Sequence, residues 1–302
     1  MQYINKANNY EEGTRITEDY LESPNCKIED PLSHETSYIN IDYAGTFSSC
    51  PSPENSYKRQ LKDVVLRNQS HLCCYCMRRL ETADDVDLEH IIPQSTRNVD
   101  VNYYRSAPGL SEGEIVLTKD YVRAHYQERP PYPHTVAYNN LVASCYGTFP
   151  KMKGDEAELC DEGICCNNVR KNYDAYPIYY FENVSDLIIY HKWGNVYENP
   201  DSLIHEKVRD VIVRAKLKCE TLQSIRQLWY VFRNYPIEQI YECQNDSIKR
   251  KGLLAEALDN SDLSPIKIGK LMSQFEKQEY WKTFMLYDWF KTANWDESGS
   301  AE

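Results

Sequence analysis

Cys73 and Cys76 are separated by two residues in the run Cys73-Cys74-Tyr75-Cys76, and no other feature constrains the fold of this 302-residue chain so strongly. A Cys-x-x-Cys turn brings two thiolates within reach of one tetrahedral ion. Alone, the pair also suits redox chemistry or plain free thiols, so a metal site needs a second pair from far along the chain. Cys145 with one of Cys160, Cys165 or Cys166 can supply it. Cys166 is favoured because it opens a segment that reads as a helix. The expected ligands of a structural Zn2+ are therefore Cys73, Cys76, Cys145 and Cys166. Such an ion would staple two distant stretches into a unit that otherwise has little core.

The eleven cysteines do not form a secreted disulfide scaffold. Such scaffolds are smaller and carry a signal sequence, whereas Met1-Gln2-Tyr3-Ile4-Asn5-Lys6 lacks an apolar signal core. Apolar runs are too short to span a bilayer, so a cytoplasmic protein without membrane contact is expected. Cys26, Cys50, Cys219 and Cys243 lie apart from the cluster and read as ordinary thiols.

Three regions are expected. Residues 1–60 are polar and rich in turn signals, such as Ser23-Pro24 and Asp30-Pro31, and read as a loop-rich N-terminal arm. Residues 61–175 form the chemical core, with insertions at 98–136 and 146–164. A helix starting near Tyr57, with Leu61, Val64, Val65 and Asn68 on one face, leads into it. Residues 176–302 begin with two strand-like runs, Pro177–Phe181 and Leu187–Tyr190, and continue as a helical region. There, Val208, Val211, Ile212, Ala215, Cys219, Leu222, Ile225 and Trp229 form one apolar stripe at helical spacing, ended by Pro236. A second helix is expected over 237–258 and a third from the N-cap Ser264. The fold class is α+β.

Between the cysteine pairs lies Val86-Asp87-Leu88-Glu89-His90-Ile91-Ile92-Pro93-Gln94-Ser95. The pattern reads as a strand that leaves Glu89 and His90 on opposite faces at its end and breaks at Pro93. A carboxylate is a hard ligand for a divalent cation, and an imidazole can take a proton from water near neutral pH. A Glu-His pair alone is usually structural, but the flanking cysteines make this one more specific. Two further blocks follow, Asn139-Asn140-Leu141 shortly before Cys145, and Cys166-Asn167-Asn168-Val169-Arg170-Lys171. An Asn amide oxygen is a second metal ligand of the right type. Arg170 and Lys171 on a helix are suited to phosphate oxygens.

In these blocks the chain resembles the HNH endonuclease superfamily, and within it the PtuB-type nucleases of Septu and retron-linked antiphage systems. The resemblance covers about a hundred residues, in the order Cys-x-x-Cys, Glu-His-Ile-x-Pro-x-Ser, Asn-Leu, Cys-Asn. It implies a ββα-metal core built on a zinc knuckle, with His90 as general base and Glu89 as ligand of a catalytic divalent cation, Mg2+ or Mn2+. It also implies that Asn140 braces the connecting loop and that Asn167, or alternatively Asn168, is the last cation ligand. The substrate would be DNA or RNA, and an ATPase partner would gate the nuclease. The formal net charge of -12 points to a partner-supplied or strictly local basic surface. It also favours the competing expectation, a zinc-stabilised binding adaptor with an inactive centre.

Overall fold

The computed structural model describes residues 1–26, 28–29, 32, 36–37, 41–95, 101–121, 130–149, 165–170, 175–261, 263 and 275–297. Cys160, Lys171, most of the 146–164 insertion and the first part of the helix expected from Ser264 lie outside them. The described chain is α+β. None of its helices is long and apolar enough to cross a membrane. It divides into two compact units, one of Met1–Cys74, Leu80–Tyr146 and Arg170–Val184, the other of Tyr75–Arg79, Gly147–Val169 and Ser185–Glu302.

In the first unit the N-terminal region departs from the expected arm. Helix α1 (Tyr10–Leu21) buries Ile16, Tyr20 and Leu21 together with the small residues Gly13, Thr14 and Thr17. Its apolar stripe was hard to read because much of the packing runs through small side chains. A Cβ on Gly13 would lie 2.3 Å from the ring of Tyr138, so only glycine lets that ring lie on the helix. Helix α2 (Tyr57–Asn68) starts where expected, with the Ser56 hydroxyl accepting from the backbone N–H of Arg59, and buries Leu61, Val64, Val65 and Leu66.

Four short strands follow: β1 (Asp87–His90), β2 (Ile115–Val116), β3 (Tyr132–Pro133) and β4 (Leu141–Ser144). Strands β1 and β4 pair antiparallel, with His90 opposite Leu141 and Asp87 opposite Ser144. The other edge of β4 is capped by a side chain. Gln69, just past α2, accepts from the N–H of Ala143 at 2.7 Å and donates to its carbonyl at 2.8 Å. Cys74 donates its backbone N–H to that carbonyl at 3.0 Å. The turn after Cys73 is thereby tied to the strand that leads to Cys145. Strands β2 and β3 pair in parallel, giving the 98–136 insertion structure of its own. Helix α3 (Asn167–Arg170) is a single turn. Residues Ile178–Tyr180 form a 3-10 turn instead of the expected strand.

In the second unit β5 (Ile188–His191) lies between β6 (Val196–Glu198) and β7 (Trp295–Asp296). The long apolar stripe belongs to two helices, α4 (His205–Arg214) and α5 (Glu220–Val231). They are parted by a turn in which Lys216 takes φ 45°. The apolar spacing runs on through that turn, which has neither Gly nor Pro to reveal it. The expected 237–258 helix is likewise interrupted: α6 (Ile237–Glu242) is followed by a 3-10 turn and by α7 (Ser247–Asp259), capped by Asp246. Helix α8 (Gln278–Met285) supplies Phe284, whose ring stacks on Trp229 at 4.4 Å and whose carbonyl accepts the indole N–H at 3.0 Å. Such a pair adds about 0.5–1.5 kcal/mol beyond the area it buries.

Candidate functional site

The thiols of Cys73, Cys76, Cys145 and Cys166 lie within 4.8 Å of one another, and all four residues are buried. Among the described residues they are the one group of three or more His, Cys, Asp or Glu side chains that converges. Four thiolates at this separation suit a tetrahedral structural metal such as zinc. The local backbone is shaped for it. The N–H of Cys145 points at the sulfur of Cys73 at 3.3 Å, a bond that favours a thiolate there. Met77 and Cys166 both take left-handed φ values, 67° and 55°, which turn the chain sharply beside a ligand. Gly147 is required by close approach. Its φ is +65° and a Cβ would stand 1.8 Å from the carbonyl oxygen of Cys165, whose N–H bonds to the Gly147 carbonyl at 2.8 Å. Cys74 is not a ligand; burial pushes its thiol well above the usual range and keeps it neutral.

The pair Glu89–His90 ends β1 as expected, but both residues are buried, at 3% and 6% exposure. Glu89 forms an ion pair with Arg170, itself 1% exposed. Arg170 also donates to the carbonyls of His90 at 2.8 Å and Ile91 at 3.0 Å. The expectation that Arg170 meets phosphate is therefore corrected: its guanidinium is turned inward because a buried carboxylate needs a counter-charge. Asn167 is half-buried and Asn168 exposed.

His90 is held at both ring nitrogens. Its Nε2 lies 2.9 Å from the carbonyl of Thr135, and the Gln94 side-chain amide lies 3.3 Å from Nδ1. A carbonyl accepts only and an amide nitrogen donates only, so the ring is the neutral tautomer with its proton on Nε2. Burial lowers its pKa to about 3, against the opposing pull of the Thr135 carbonyl, with His134 and Lys58 lowering it further. Tyr43 meets the ring edge-on at 4.5 Å.

Asn140 is buried and hydrogen-bonded across two segments. It accepts from the N–H of Ile92 at 2.7 Å and donates to the carbonyls of Ile92 at 3.0 Å and His134 at 2.7 Å. The segment leaving β1 is thus fastened to the segment entering β4. Residues without a role in the sequence reading complete the setting. Thr118 donates its backbone N–H to Nδ1 of His134 at 2.9 Å, and its hydroxyl lies 2.8 Å from that of Thr135. This fixes the carbonyl that holds His90. Burial lowers the pKa of His134 to about 4. The one sequence signal for it was a histidine six residues before Asn140 in a proline-rich stretch.

No protein-family model, no curated protein and no solved structure matches this chain.

Proposed function

We propose that the chain is an HNH-type endonuclease that hydrolyses phosphodiester bonds of DNA or RNA with His90 as general base. In this reading it is the nuclease effector of an antiphage complex gated by an ATPase partner. The observation that carries it is the orientation of the imidazole. Its Nε2–H donates to the Thr135 carbonyl, and its Nδ1 lone pair is turned toward the exposed side chain of Gln94. Burial, which holds the pKa at about 3, makes the ring a weak base as it stands, so base catalysis requires the site to open. When Gln94 swings away, a water can take its place and lose a proton to Nδ1 as it attacks phosphorus. Proton transfer of this kind contributes about two to four powers of ten. In support of the reading, β1 and β4 pair antiparallel and the single helical turn α3 follows them along the chain.

A divalent cation at Glu89 would supply neutralising charge for the departing oxygen. The residues do not fit one as they stand, because Glu89 is already paired with Arg170. Cation binding therefore requires that pair to open, which gives the ATPase partner something physical to control. A net charge of -12 is also easier to reconcile with nucleic acid when a partner contributes positive surface.

The test is cleavage of supercoiled plasmid and of structured RNA by wild type and His90→Ala, with Mg2+ or Mn2+, with and without the ATPase. Wild-type cleavage lost in the variant supports the reading. Equal cleavage by both removes His90 from the chemistry, and no cleavage under any condition sinks the nuclease. The Glu89–Arg170 pair favours one other reading, a zinc-stabilised nucleic-acid or protein adaptor with an inactive centre. It predicts binding without cleavage in the same experiment.

A further inference from the structure

The first unit also contains a cavity of about 480 Å³, formed by the N-terminal segment and the loop that carries Gly109 and Glu114. This is the size of a small-ligand site. Three aromatic residues, Tyr3, Tyr10 and Tyr180, line it together with two acidic ones, Glu11 and Glu114. Glu114 is half-buried and held at one oxygen. The Tyr10 hydroxyl donates to its Oε2 at 3.2 Å, and Nδ2 of the buried Asn139 donates to the same atom at 3.3 Å. Burial and the neighbouring carboxylate push the Tyr10 phenol up to about 12, so its hydroxyl stays a donor. The other oxygen of Glu114, Oε1, is accessible and accepts no hydrogen bond from a described residue. Glu11 is exposed in the first turn of α1, and no described lysine or arginine pairs with either carboxylate. Lys6, also on the wall, is engaged elsewhere. Its Nζ donates to the Leu141 carbonyl at 2.5 Å and lies 4.0 Å over the Tyr138 ring, and burial lowers its pKa well below the usual lysine range.

Two carboxylates without a counter-charge, set among aromatic side chains, suit a cation that hydrogen-bonds at its edge and stacks on its face. We propose that this cavity binds a guanidinium group, carried by a small molecule or by an arginine side chain of a peptide, with its N–H edge toward Glu114 and Glu11. An anion would meet like charge here. A metal cation would need about six oxygen ligands, and among the described residues no third His, Cys, Asp or Glu side chain converges on these two. An ammonium is a compact, strongly hydrated charge, whereas a guanidinium is planar, weakly hydrated and pairs through two N–H groups with one carboxylate. Tyrosine rings replace little of an ammonium's water shell, but they offer the face of a guanidinium both stacking and cation–π attraction. The site requires neither cleavage nor a divalent cation, so it stands or falls separately from the nuclease.

The experiment is calorimetric titration of the full zinc-loaded chain, without Mg2+ or Mn2+. The probes are agmatine, a capped Ala-Arg-Ala peptide, the same peptide with lysine or with the neutral isostere citrulline in place of arginine, and CaCl2. Agmatine or the arginine peptide should bind at least about tenfold more tightly than the lysine and citrulline peptides. The tighter of those two probes separates a small molecule from a peptide side chain. Glu114→Gln and Glu11→Gln should each weaken guanidinium binding about tenfold, as the loss of a hydrogen bond between charged groups requires. Added salt should weaken it in wild type. Circular dichroism checks folding; if Glu114→Gln fails to fold, Glu11→Gln at its exposed position decides. Absence of binding by every probe, equal affinity for the arginine and citrulline peptides, preference for lysine, binding of Ca2+ alone, or guanidinium affinity unchanged in folded Glu11→Gln would overturn the assignment.

Discussion

The four-thiol cluster and the Glu89–His90 site are both assembled from residues distant in sequence, yet they differ in what the protein gives them. Around the cluster the sulfurs converge on one another, and buried thiolates in that arrangement are stable only with an ion among them. At the other site the protein already supplies every partner: Arg170 for Glu89, and Thr135 and Gln94 for His90. One site has the geometry to be completed by a structural metal such as zinc. The other is closed by protein groups that an activating event has to move.

The largest effect should come from the cluster. Structural zinc is worth about 10–16 kcal/mol in apparent binding energy, more than the stability of an ordinary domain. Cys145→Ala or a strong chelator should therefore leave no cooperative thermal transition, and elemental analysis of wild type should give about one zinc per chain. Folded, metal-free wild-type protein would break the contrast with the second site.

Next in size is the buried ion pair. Arg170→Met strands the Glu89 carboxylate and should cost about 3–5 kcal/mol in denaturant unfolding, whereas Glu89→Gln with Arg170→Met should recover much of the loss. The same variant sharpens the comparison. With the guanidinium gone, millimolar Mn2+ should raise the melting temperature of Arg170→Met but not of wild type. A melting temperature indifferent to Mn2+ in the variant would mean that Glu89 is a structural residue.

Asn140→Ala removes an amide that satisfies three backbone groups and should destabilise by about 2–4 kcal/mol. Under the proposed function it should reduce cleavage more than the stability loss explains.

Per pH unit, the smallest effect is that of the two buried histidines. His90 and His134 have folded pKa values of about 3 and about 4, below the ordinary value of 6.5. Between those limits the unfolded chain takes up protons that the folded chain refuses, so stability falls as the pH drops from 6.5 toward 4. The slope approaches about 1.4 kcal/mol per pH unit for each histidine. Denaturant midpoints of wild type and His134→Gln across that range should diverge, with the variant flatter. Coincident curves would place His134 in contact with solvent.

The sequence by itself determined the α+β class, the start of α2, the strand ending in Glu89 and His90 and three of the four clustered cysteines, with Cys166 favoured over Cys160 and Cys165 until the converging thiols picked it out. These follow from spacing, because two thiols on one turn, or an alternating run stopped by proline, have few other uses. The helical N-terminus was hidden because Gly13 packs against Tyr138, distant in sequence, and the break between α4 and α5 because the apolar spacing runs on through Lys216 with neither Gly nor Pro to mark the turn. Only the tertiary structure decided that Arg170 faces Glu89 and not solvent. A charge buried with a carboxylate answers to desolvation, and desolvation depends on what the rest of the chain places around it.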